Sequence, residues 1–244
     1  MTDAYTFVLI HGAWHTGEHW APIRAHLEAG GHTVHTPTIA GHGDGRAQTT
    51  HAEGVQSVLD YLDLHGLDDF ILVGHSFAGT VLTKVAEAIP DRIRRLVFWN
   101  AFVLADGSSI NDESPRSYGE LMQATAVDGM FSMPLDLWRQ AFIQDAEEDL
   151  VLRSHATLVP EPLTMLETRL DLTRFHQLIA EQRLRTSYLN ATEDLAMPPG
   201  EHAWHPRFSD RLGAPRIVMM SGSHETMFSN PDHAAEKILE AGRD

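Results

Sequence analysis

The chain has 244 residues, 43% of them hydrophobic, which is enough to bury one substantial core without covalent staples, so a single domain spanning 1–244 is expected. Its 18 basic against 34 acidic residues give a net charge of −16, which repels phosphate backbones and anionic membrane surfaces and argues against nucleic acid as a partner. There is no cysteine, so neither a disulfide framework nor a thiolate metal site is available. The stretch Met1 to Tyr5 is polar and lacks the basic-then-apolar order of a secretion signal, and no apolar run approaches the length of a membrane span. The expectation is a soluble cytoplasmic protein, monomer or homodimer, with no membrane partner.

In chain order, Phe7-Val8-Leu9-Ile10 reads as a buried strand. A helix follows from Pro22 through Ile23, Leu27 and Ala29, with Gly30-Gly31 as its stop. His32 to Thr36 is a short strand, Pro37 to Gln48 a loop, and Val55, Val58, Leu59 and Leu62 stripe a helix that Gly66 ends. Phe70 to Val73 is the clearest strand; a helix through Val81, Leu82, Val85 and Ala86 follows it and closes at Pro90. Arg95 to Trp99, Ser187 to Ala191 and Ile217 to Ser221 supply further strands. About six strands alternating with helices predict an α/β fold with a mostly parallel sheet covered on both faces. Residues 106–185 break the rhythm with helical periodicities and no good strand, and are expected to form an inserted helical cap.

Between the clearest strand and its helix stands Gly74-His75-Ser76-Phe77-Ala78-Gly79. A nucleophile on such a turn is forced into a strained conformation that exposes its hydroxyl, and the side chains two positions either side must be small, as Gly74 and Ala78 are. The turn resembles the nucleophile elbow of the α/β-hydrolase fold, with Ala78 where the pattern usually has glycine. Helix amides beginning at Phe77 aim at an anion formed near Ser76. A second donor is expected from the loop after the first strand, His11-Gly12-Ala13-Trp14-His15, where Ala13 N–H joins Phe77 N–H as the oxyanion hole. His11, His15 and His19 share a four-residue spacing, but Gly12 and Gly17 argue for loop rather than helix, so no metal is expected there, and no cofactor anywhere.

The base should follow the last strand and precede the last helix, which selects His224 in Ser221-Gly222-Ser223-His224 over His233 inside the helical pattern. Asp194, after the strand ending at Ala191, is placed to hold one imidazole nitrogen, with Glu193 and Asp106 as alternative acids. The apolar set Met122, Met130, Phe131, Met133, Leu135, Trp138 and Phe142, together with Trp14, His75 and Phe102 near the elbow, is a candidate lining for a hydrophobic substrate pocket; ordinary helix core is the competing reading.

At these residues the chain resembles the short methylesterase and hydroxynitrile lyase branch of the α/β-hydrolase superfamily with its bacterial relatives. The shared features are Phe7 to His15, the Gly74-His75-Ser76 elbow, Ala101-Phe102, Thr192-Glu193-Asp194 and Gly222-Ser223-His224. The resemblance implies a Ser76, Asp194, His224 triad and an Ala13 and Phe77 oxyanion hole. It does not carry a substrate across, because residues 106–185 match loosely. Lyases of the branch place a lysine just after the histidine, whereas here Glu225 follows, which disfavours cyanogenic chemistry. The expected activity is hydrolysis of a small to medium hydrophobic carboxylic ester through an acyl-enzyme. The alternatives are a cofactor-free dioxygenase or carbon–carbon lyase using His224 and Asp194 as base, and a non-catalytic ligand-binding protein.

Overall fold

The structure is a computed structural model that describes residues 4–243, so the first three residues of the polar leader lie outside the described residues. Its strands are β1 (Thr6–Ile10), β2 (Thr33–His35), β3 (Phe70–His75), β4 (Ile93–Trp99), β5 (Met130–Phe131), β6 (Glu161–Pro162), β7 (Thr186–Ala191) and β8 (Arg216–Met220). Six of them form one sheet in the order β2-β1-β3-β4-β7-β8, with every neighbouring pair parallel. All six apolar runs of the sequence become these strands, with ends displaced by a residue or two.

Because successive strand side chains point to opposite faces, each apolar run serves two layers at once. Phe7 and Leu9 join Ile71 and Val73 in a core with Ile23 and Leu27 of α1 (Ala21–Ala29) and Ile238 of the last helix, Pro231–Gly242. Val8 and Ile10 join Leu72 and Leu96 in the opposite core with α2 (His51–Leu64) and α3 (Ala78–Ala88). At the start of α2 the Thr50 hydroxyl accepts from Glu53 N–H while the Glu53 carboxylate accepts from Thr50 N–H, which fixes where the loop ends and the helix begins.

The register lines up the C-terminal ends of the strands. Ile10 pairs with Gly74, His75 with Trp99, Trp99 with Leu189, and Ala191 with Met220. The segments that follow β1, β3, β4, β7 and β8 therefore leave the sheet along one edge, and the sheet order reverses at β1 and β3, where such folds open a crevice. The elbow depends on close packing: a Cβ on Gly74 would lie 2.5 Å from Leu82 Cδ1, and one on Gly79 2.2 Å from the Phe102 carbonyl oxygen.

Between β4 and β7 run the helices Arg116–Thr125, Glu148–His155 and Thr173–Ala180 with shorter turns. The expectation of no strand here needs correction, since β5 and β6 form an antiparallel ladder of two residues each. A pair so short has no alternation to read from sequence.

Candidate active site

Ser76 takes φ +55°, the left-handed region that costs a non-glycine residue about 1–3 kcal/mol. Three segments hold it there. Its N–H donates to the Trp99 carbonyl at 3.1 Å, and its own carbonyl accepts from Gly79 N–H and Phe102 N–H, both at 3.1 Å. The residue opens on a cavity of about 60 Å3 whose walls include Ala13, Phe77 and His224.

The loop after β1 passes close over the elbow, because a Cβ on Gly12 would stand 3.0 Å from His75 Nδ1 and 3.2 Å from Ser76 Cβ. This approach carries Ala13 to the cavity wall. Among the described residues, neither the Ala13 N–H nor the Phe77 N–H has an acceptor. Two buried amides beside a serine are thus left to a ligand atom.

His224 Nδ1 lies 2.5 Å from Asp194 Oδ2, with both side chains 1% exposed. The other Asp194 oxygen accepts from Ala196 N–H at 2.8 Å. Asn100, which sequence reasoning missed, donates to Asp194 Oδ2 from Nδ2 at 2.5 Å and grips the Ala191 backbone on both sides. Of the alternative acids, Asp106 accepts from Leu172 N–H at 2.7 Å, and Glu193 is exposed, while it is Asp194 that meets the imidazole. Burial alone would lower the His224 pKa, but the charge and hydrogen bond of Asp194 and the charge of Glu225 leave it raised above the ordinary value.

Rings enclose this imidazole. Trp204 stacks on it at 13° with centroids 5.4 Å apart, Phe142 meets it edge-on at 5.3 Å, and His75 lies 4.5 Å away. His75 does not line the cavity as expected. Its Nε2–H donates to the His224 carbonyl at 3.0 Å, and burial, then the neighbouring His224, hold it far below the usual imidazole range, hence neutral. Trp138 is also displaced from the wall. It is fully buried, donates from Nε1 to Ser154 Oγ at 3.1 Å, and stacks behind Phe142 across the π-helical turn Trp138–Phe142.

Of the other expected pocket residues, Trp14, Phe102, Phe131 and Phe142 line the cavity, as do Met122 and Met133; Met130 and Leu135 do not. Trp204, Met197, Ser114 and Tyr118 were not anticipated. Trp204 lies in a loop without periodicity, held by Arg207 and Arg211 on the Glu113 carboxylate. No lysine or arginine is among the lining residues.

His11 and His15 do not converge on a metal. His11 Nδ1 donates to the Gly12 carbonyl and its Nε2 accepts from Ile39 N–H, while His15 engages the Ala13 carbonyl and Glu225, and His19 Nε2 lies 3.1 Å from Thr157 Oγ1. The segment Gly17–Trp20 is a 3-10 turn rather than loop. Ligand-type atoms of His75, His224 and Glu225 lie within 4.8 Å of one another, but His224 Nδ1 is committed to Asp194 and Glu225 to His15. Among the described residues, no helix is long and apolar enough to cross a membrane.

The model of the alpha/beta hydrolase family matches residues 7–238. The chain is 31% identical to the carbendazim hydrolyzing esterase of Nocardioides sp. (strain SG-4G), across 97% of this chain and 99% of that protein. It is 27% identical to salicylic acid-binding protein 2 of Nicotiana tabacum, across 98% of each. Among solved structures, an extracellular alpha/beta-hydrolase from a Paenibacillus species, described as sharing structural and functional homology with that tobacco protein, superposes with a TM-score of 0.93 at 39% identity, across 98% of this chain and 100% of that one.

Proposed function

Because the chain belongs to the alpha/beta hydrolase family, we propose that it is a serine esterase that cleaves a neutral, hydrophobic carboxylic ester through an acyl-enzyme on Ser76. One observation carries the reading: a strained Ser76 and the Asp194-held His224 open on the same apolar cavity beside two amides without acceptors. His224 takes the hydroxyl proton as Ser76 Oγ bonds to the ester carbonyl carbon, and the oxyanion is held by the Ala13 and Phe77 amides. Collapse breaks the bond to the alkoxy oxygen, which leaves as the alcohol with the proton from His224. Water then attacks the acyl-enzyme, giving its proton to His224, and the acid departs as that proton returns to Ser76.

The walls support the substrate class. An acyl group bearing a free carboxylate would find no lysine or arginine among the lining residues, in a chain of net charge −16, so a neutral ester is favoured. The segment between β4 and β7 supplies Phe131, Met133 and Phe142 as a cap over the nucleophile. One relative carries a name that supports the reaction, an esterase. Intact mass after incubation with a small fluorophosphonate, run beside Ser76→Ala and with aryl esters as substrates, tests the reading. Ser76-dependent labelling with ester turnover is expected; labelling of Ser76→Ala, or no turnover by the parent, overturns it.

A further inference from the structure

The residue after His224 is a carboxylate in a place where solvent does not reach. Glu225 is 1% exposed, and its backbone N–H donates to the Phe142 carbonyl at 3.0 Å. Its Oε2 lies 3.3 Å from His15 Nε2, and His15 is equally buried. The other ring nitrogen of His15, Nδ1, lies 2.6 Å from the Ala13 carbonyl oxygen. A carbonyl oxygen only accepts, so His15 Nδ1–H donates to the Ala13 carbonyl, while Nε2 on the far side of the ring lies against the Glu225 carboxylate. The buried imidazole thus bridges Glu225 to the backbone of Ala13, a residue of the cavity wall.

We infer that Glu225 is a positioning residue, which holds the Ala13 carbonyl through His15 and, across the φ and ψ of that one residue, restrains the Ala13 oxyanion amide against Ser76; this rests on the esterase reading above. The groups facing Glu225 are His15, His75 and His224, with His19 against the far side of the His15 ring and Asp194 beyond His224. Burial would raise the Glu225 pKa, but His15, through charge and hydrogen bond, and then His75 and His224, bring it down to about 2, so the carboxylate stays ionised across the working range. The clamp also joins the loop after β1 to the loop after β8, although three strands of the sheet, β3, β4 and β7, lie between those two strands. A buried unpaired carboxylate would be strongly destabilising, which is why Glu225 and His15 belong together.

The test uses the full-length protein with two variants. Glu225→Met removes the acceptor, while Glu225→Gln keeps a hydrogen-bonding partner of the same size. Matched aryl esters and thionoesters separate the oxyanion hole from general structure, since sulfur in place of the carbonyl oxygen is larger and a poor acceptor. The expected result for Glu225→Met is a fall of about ten- to a hundredfold in kcat for the ester with KM nearly unchanged, a much smaller loss for the thionoester, and partial rescue in Glu225→Gln. Equal losses for both esters, or none, overturn the proposal. Nitrogen-15 NMR of labelled histidine supplies a readout that needs no turnover: the His15 Nδ1–H bond to the Ala13 carbonyl is expected in the parent protein and to weaken in Glu225→Met. An unchanged His15 Nδ1 signal in Glu225→Met overturns the clamp, whereas a parent with that bond intact but no Ser76-dependent turnover sinks the esterase reading instead.

Discussion

The Trp204 indole lies almost parallel to the His224 imidazole, 5.4 Å between centroids and 13° between planes. An imidazolium formed when His224 takes the serine proton would sit over the electron-rich indole face, while the neutral ring gains only dispersion. The stack thus favours the charged state that exists during reaction. Trp204→Leu is expected to lower kcat about two- to fivefold, the size of a partly exposed to buried cation–π contact, with the folded state retained. Steady-state kinetics on an aryl ester, with a thermal melt as control, check it; an unchanged kcat would reduce the stack to packing.

The pH profile follows from the Asp194 contact. His224 must be neutral to act as base, and its pKa is raised above the ordinary 6.5 because the Asp194 charge and hydrogen bond overcome burial. Activity should therefore climb with pH through a midpoint above 6.5 and be low on the acid side of it. In Asp194→Asn the raising charge is gone, so the midpoint moves down, while the maximal rate falls by about 10⁴ because the ring loses its fixed tautomer. A kcat/KM profile against pH for both proteins decides; an unmoved midpoint in Asp194→Asn would mean that another group sets the limb.

Much of this arrangement was legible before the structure. Phe7 to Ile10 and Phe70 to Val73 read as strands because both faces of a parallel sheet are buried, which leaves an unbroken apolar run. Ser76, Asp194 and His224 were findable because chain order and sheet order put the ends of β3, β7 and β8 on one edge. Asn100 was not, since its role depends on β4 and β7 pairing in a register that no local pattern encodes. Trp138 and Phe142 are four residues apart and stay stacked on one side of the π-helical turn, but Phe142 lies on the cavity and Trp138 behind it, a difference in depth that spacing does not encode. Trp204 had no periodicity to betray it.

Gly12 offers a sharper test of how closely the loop after β1 must pass over the elbow. A methyl group there would press on His75 Nδ1 at 3.0 Å and on Ser76 Cβ at 3.2 Å, closer than carbon atoms normally tolerate. The contact has to give by a few tenths of an ångström, and Ala13 moves if the loop is the part that gives. Gly12→Ala is expected to cut kcat about tenfold, less than the loss that misplacing a donor by a full ångström brings, at little cost in melting temperature because the strain falls on a loop. Comparison of fluorophosphonate labelling rates between the two proteins would show the same loss; equal rates would mean that the loop has slack.

Glu161 ties the segment between β4 and β7 to the site. Its Oε2 accepts from His42 Nε2 at 2.7 Å and from Trp14 N–H at 3.2 Å, and the Glu161 and His42 side chains are both fully buried. Burial would lower the His42 pKa, but the Glu161 charge and hydrogen bond leave it raised above 6.5. A group whose folded pKa is raised stabilises fully below its unfolded value and loses that contribution as pH climbs through the folded value. The six histidines with lowered pKa values act in the opposite sense, so the His42 contribution is read as a difference: the stability advantage of the parent over Glu161→Gln should be larger at pH 6 than above the raised His42 value. Glu161→Ala, which strands His42 and frees the Trp14 amide, is expected to cost about 3–5 kcal/mol by urea denaturation near pH 6. If the alanine variant were as stable as the parent at that pH, the pair would be a passenger, and the Trp14 loop would have to be held by its ring contacts with Phe131 and Phe142 alone.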